Sequence, residues 1–231
     1  MGAASGERNG ASRRRRLLVG GLFVATLAVL AGVLVHVALT GSLDLTFLGW
    51  NLFLAWMPLV LAIGLYDDDR GGATLGRLVL VGSLWLLFLP NAPYIVTDLK
   101  WVDVGGRWLW FDAALIGGGA AIGLALGFVS LYLVQTVACR RFGPIAGWGL
   151  AWAALVLSGI GVYLGRYERW NSWDVFTQPT KIVGELVSAA LDPLAHGRPL
   201  ALATSFAVVW CAGYALFYGA FRRQLERIVA R

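Results

Sequence analysis

"LGRLVLVGSLWLLFL", Leu75–Leu89, runs without any loop-like composition into "PNAPYIVTD", Pro90–Asp98. The first stretch has 15 residues, or roughly 22 Å of α-helix at about 1.5 Å per residue. A bilayer core is about 30 Å thick, so in a membrane the prolines arrive before the helix has crossed. Pro90 and Pro93 bring no amide donor and disturb the regular hydrogen-bond ladder. Freed carbonyls facing lipid would each cost several kcal/mol, so such backbone must be buried in protein or line a wet cavity. Broken helices at this depth often build binding sites. The alternative is a proline-terminated helix whose tail lies in the headgroup zone.

The rest of the chain supports the membrane setting. Of 231 residues, 58% are hydrophobic and 14% charged, against roughly 25% charged in soluble domains. Mean hydropathy is +0.71. Six apolar runs are expected as helices, at Leu17–Leu39, Phe47–Tyr66, Leu75–Leu89, Ala113–Ala138, Ile145–Gly165 and Leu200–Phe221. The expected fold is therefore an all-α, polytopic bundle of six transmembrane helices in one domain, residues 17–221, with the third helix broken at Pro90 and Pro93. Residues 1–16 read as a disordered basic tail and 222–231 as a short basic tail.

The net charge of +6 does not point to nucleic acid, because the arginines sit at the ends of apolar runs. With six spans both termini share one side. On that side fall 13 of the 19 Lys and Arg residues: five between Arg8 and Arg16, then Arg70, Arg77, Arg140, Arg141, Arg222, Arg223, Arg227 and Arg231. The other side carries Lys100, Arg107, Arg166, Arg169, Lys181 and Arg198. The bias places both termini in the cytoplasm, and the expected location is a bacterial inner membrane. "SRRRRLL" at Ser12–Leu18 resembles a twin-arginine signal, but the apolar run behind it is too long for a cleaved leader.

Small residues mark packing faces. Gly119, Gly123 and Gly127 recur every four residues, as do Gly161 and Gly165. That spacing lets helix backbones approach closely in lipid.

Three distant segments put unusual polar residues on the outer side. Asn51 lies just inside the second apolar run. Asn91, Tyr94, Thr97 and Asp98 follow the break, and Asp112 closes "WLWFD". "GVYLGRYERWNSWD", Gly161–Asp174, adds Arg166, Arg169, Asn171 and Asp174. Were the fifth helix to continue, Arg166, Arg169 and Trp173 would share a face. Arginine grips carboxylate or phosphate bidentately and keeps its charge. The candidate ligand-binding set is thus Asn51, Asn91, Tyr94, Asp98, Asp112, Arg166, Arg169, Asn171 and Asp174. Its expected partner is an anionic lipid headgroup or small anion, with the aspartates orienting the arginines. The competing reading is a set of structural ion pairs inside an aromatic belt. Two further functions stay open: an enzyme on a lipid-linked substrate with Asp98 or Asp112 as general base, and a structural or assembly subunit. "PTKIVGELVSAALDP" after Asp174 reads as an amphipathic helix on the outer surface.

Other signals are weaker. Asp67–Asp69 reads as a solvated loop, since no second acidic motif accompanies it. "LSGIG" around Ser158 lacks a base. His36, in the first run, reads as a packing residue. Cys139 and Cys211 suggest no disulfide framework. No zinc-like spacing is present, and no cofactor is expected.

"NLFLAWMP", "FLPNAPYIVTD", "WFD", "SLYLV" and "GVYLGRYERWNSWD" resemble a bacterial family of integral membrane proteins catalogued as domain of unknown function number thirteen sixty-one. The resemblance runs from about Leu45 to Phe221. It implies a small membrane protein and no particular chemistry. The family pattern implies tyrosine before the aspartate where this chain has Phe111.

Overall fold

A computed structural model describes residues 2–102, 107–166, 170, 174–191 and 197–229. The elements are α1 (Gly2–Thr40), α2 (Phe47–Arg70), α3 (Leu75–Phe88), α4 (Asn91–Tyr94), a 3-10 helix (Ile95–Trp101), α5 (Leu109–Phe142), α6 (Pro144–Arg166), α7 (Asp174–Thr177), α8 (Pro179–Leu191) and α9 (Gly197–Ile228). No strand occurs among the described residues. Six stretches are long and apolar enough to cross a membrane: those of α1, α2, α5, α6 and α9, and Leu75–Lys100, which joins α3 to the 3-10 helix. The chain is a multi-pass membrane protein.

The third span is broken where the prolines fall, but it does not unwind. Leu89 and Pro90 keep right-handed helical angles, and α4 and the 3-10 helix carry the chain onward. The backbone replaces the missing proline amides locally. Ala92 N–H donates to the Leu89 carbonyl at 3.1 Å, and Tyr94 N–H donates to the Pro90 carbonyl at 3.1 Å. Two side chains complete the repair: Asn91 Nδ2 donates to the Phe88 carbonyl at 2.9 Å, and the Thr97 hydroxyl donates to the Tyr94 carbonyl at 2.6 Å. Backbone acceptors in an apolar setting need such partners, which explains why asparagine and threonine accompany the prolines.

The break is buried because two glycine faces receive it. A Cβ on Gly123 would lie 2.5 Å from the Ala92 carbonyl oxygen, and one on Gly127 would lie 2.9 Å from Ala92 Cβ. From the other flank, a Cβ on Gly161 would lie 2.5 Å from Pro90 Cγ. Any side chain larger than hydrogen at these positions would push the broken segment out of its seat.

Helix α5 is the hub. Every residue from Leu126 to Gln135 is buried, as a helix surrounded by others requires. It packs on α1, α2, α4, the 3-10 helix and α6, while α6 packs on α9. Two hydrogen bonds cross the interior: Trp85 Nε1 to Ser130 Oγ at 3.2 Å, and the Tyr214 hydroxyl to Gln135 Oε1. Near α1, Trp56 Nε1 donates to Thr26 Oγ1 at 3.1 Å. Large apolar side chains such as Val60, Leu80, Val156, Val208 and Leu216 point outward, as lipid contact demands.

One expectation needs correction at the end where the termini lie. Asp67–Asp69 is not a solvated loop but the end of α2. Three adjacent carboxylates at a helix C-terminus repel one another and oppose the helix dipole, and arginines offset both effects. Arg15 pairs with Asp67 at 2.9 Å, Arg77 with Asp68 at 2.7 Å, and Arg141 with Asp69 at 2.6 Å. Arg15 and Arg140 also lie against the buried Tyr66 ring, 5.3 and 4.7 Å from its centroid. The acidic run therefore ties α1, α3 and α5 to α2.

Candidate functional site

The polar cluster assembles at the opposite end of the bundle, where the 3-10 helix meets α2 and α6. Asp98 lies within the 3-10 helix and is only 1% exposed. A carboxylate removed from water in this way must be paired. Its Oδ2 accepts from Asn51 Nδ2 at 2.7 Å and its Oδ1 from Arg166 Nη1 at 3.0 Å. Asn51 is in the first turn region of α2, and Arg166 is the last residue of α6. A guanidinium at that position also faces the negative end of the α6 dipole.

Arg166 is held from three directions. Besides Asp98, its Nη1 donates to the Tyr94 hydroxyl at 3.3 Å and its Nη2 to the Thr97 carbonyl at 3.1 Å. The guanidinium carbon lies 5.5 Å from the centroid of the Tyr94 ring, within cation–π range. The Tyr94 ring itself stands against Gly165, whose Cβ would lie 3.4 Å from Cε2. The second glycine face thus seats both the proline break and the tyrosine beside the arginine.

Of the nine candidate residues, four meet in this one network: Asn51, Tyr94, Asp98 and Arg166. Asn91 is close in sequence but serves the Phe88 carbonyl. Asp112, in the first turn of α5, pairs elsewhere: its Oδ1 lies 3.2 Å from His36 Nε2, although the imidazole N–H is not aligned for a hydrogen bond. His36 stacks on Phe111 with ring centroids 6.3 Å apart. Asp174 opens α7 and accepts from the Thr177 hydroxyl at 3.4 Å. Arg169 and Asn171 lie outside the described residues. The amphipathic segment after Asp174 is helical as expected, forming α8.

The expectation that His36 is a packing residue captured its burial but not its charged neighbour. Nothing in the spacing of residues 36 and 112 announces that contact. Ser130 and Gln135 are likewise buried polar residues in an apolar span, a signal that marks functional or packing sites. Among the described residues no group of three or more His, Cys, Asp or Glu side chains is arranged to hold a metal ion.

Chemically, the network is a neutral pair with a fixed geometry. Asp98 has each oxygen engaged by a donor. Arg166 keeps some donor capacity. A guanidinium has five N–H groups, and three donated bonds leave two of them, on Nε and Nη2, without a partner among the described residues.

No curated protein and no solved structure matches the chain. Residues 50–223 match the family model described as Protein of unknown function (DUF1361), and this chain belongs to that family.

Proposed function

We propose that the polar end of the bundle binds an anionic headgroup, with Arg166 as the residue that grips it. One observation carries the reading: Arg166 is oriented by Asp98, Tyr94 and Thr97 yet has two N–H donors without a partner among the described residues. An arginine held rigid before its ligand arrives loses little freedom on binding, and its donor pair suits two oxygens of a phosphate. The outer-leaflet position follows from the arginine bias between the two ends. The enzyme reading with Asp98 as general base has less support, because Asp98 is held by both Asn51 and Arg166.

Mass spectrometry of protein extracted in mild detergent tests the proposal. Wild type should retain an anionic phospholipid. Arg166→Lys should retain clearly less, because an ammonium cannot make the paired contact. The double variant Asp98→Leu/Arg166→Leu removes the pair without leaving a buried charge, so it should fold and carry none. Equal lipid content in all three proteins would overturn the reading.

A further inference from the structure

Behind the proline break lies a cavity of about 10 Å³, lined by Leu89 and Pro93, by Gly127 and Phe128 of α5, by Ser158 of α6 and by Trp210 of α9. That is close to the room that one water molecule needs. Ser158 and Trp210 are the two lining residues whose side chains can hydrogen-bond. Ser158 and Trp210 are 1% and 2% exposed. Neither the Ser158 hydroxyl nor Trp210 Nε1 has a hydrogen-bond partner among the described residues. Buried polar groups of this kind are almost always satisfied, and in a membrane interior bulk water cannot serve them.

The surrounding helices cannot close over the gap. Next to Ser158, a Cβ on Gly159 would lie 2.7 Å from the Ala203 carbonyl oxygen and 2.8 Å from the Ala207 amide nitrogen. Helices α6 and α9 are already at backbone contact there, so sliding them together to join Ser158 to Trp210 directly is blocked. The Trp210 ring is fixed as well, stacked on Phe206 at 6.0 Å with an interplanar angle of 6°. An indole N–H only donates, whereas a hydroxyl donates or accepts. A partner that accepts from one group and pairs with the other satisfies both.

We propose that this cavity is an internal hydration site, in which one water molecule bridges Trp210 Nε1–H and the Ser158 hydroxyl at the back of the helix break. It is independent of the headgroup site, because neither Ser158 nor Trp210 belongs to that network.

The probe is water itself. The protein, with its tryptophans labelled by ¹⁵N, is placed in nanodiscs of deuterated lipid, and magnetisation transfer between indole protons and water is recorded. Trp210→Phe assigns the signal among the 11 tryptophans. Wild type should show transfer from a long-lived water to the Trp210 indole proton. Ser158→Ala should weaken it several-fold and shift the indole resonance toward that of an unbonded N–H. Absence of transfer in wild type overturns the proposal without recourse to any variant. So does transfer of unchanged strength in Ser158→Ala.

Discussion

Asp98 and Arg166 hold each other in a place where neither tolerates solitude. Breaking a buried pair by removing one partner destabilises by roughly 3–5 kcal/mol, whereas an apolar replacement of both is often neutral. Arg166→Leu should therefore lower the thermal unfolding midpoint in detergent sharply, and Asp98→Leu/Arg166→Leu should recover most of the loss. Asn51→Leu removes one acceptor contact of a carboxylate that keeps its arginine, so its effect should be smaller, about 1–3 kcal/mol. A double variant no more stable than Arg166→Leu alone would mean that the charges are not what binds the segments. The types of these residues could be read from the sequence, because amide, carboxylate and guanidinium are rare in apolar runs. Their partners could not. Asp98 and Asp112 are both carboxylates beside an apolar run, yet one faces α6 and the other faces His36 on α1. That choice is made by helix rotation, to which residue spacing is blind.

The helix break and the glycine faces were both visible in the sequence as separate features, and the structure makes them one device. Glycines every four residues suggest close helix packing, which leaves open whether the guest is another chain or another part of this one. Here the guest is the broken segment itself: Ala92 against Gly123 and Gly127, and Pro90 against Gly161. Enlarging Gly123 would thus disturb internal packing, and is no clean test of an oligomer interface. Gly123→Ala should destabilise by about 1–3 kcal/mol through overpacking, because its Cβ would meet a backbone carbonyl that has no rotamer to change. Gly117→Ala, in the same helix with nothing within 4 Å, should be neutral or gain up to about 1 kcal/mol in helix propensity. Equal unfolding midpoints for these two variants would show that the Ala92 contact is not tight. Asn91→Ala tests the same device from the chain side: it strands the Phe88 carbonyl and should lower stability by about 1–3 kcal/mol. What the sequence concealed was the continuity of the segment. Prolines suggest unwinding, but Pro90 keeps a φ of −59° that suits a helix, and 3-10 geometry absorbs the missing amides.

At the scale of the molecule the two ends of the bundle differ in kind. The end bearing the termini carries an arginine–aspartate lattice around Tyr66 that joins α1, α2, α3 and α5; the far end carries the compact Asp98–Arg166 network. The headgroup proposal takes the first end, with its surplus of arginine, as the cytoplasmic one, since it requires Arg166 to face the outer leaflet. Cysteine labelling decides the matter. Cys139 and Cys211 are unpaired and can first be replaced by alanine. A cysteine at Gly72, in the turn between α2 and α3, then reports on one end, and a cysteine at exposed Arg107, just before α5, reports on the other. A maleimide that cannot cross membranes should modify position 107 in intact cells and should reach position 72 only after the membrane is opened. The reverse pattern would put the arginine lattice outside and Arg166 inside, and an outer-leaflet lipid could then no longer be its ligand.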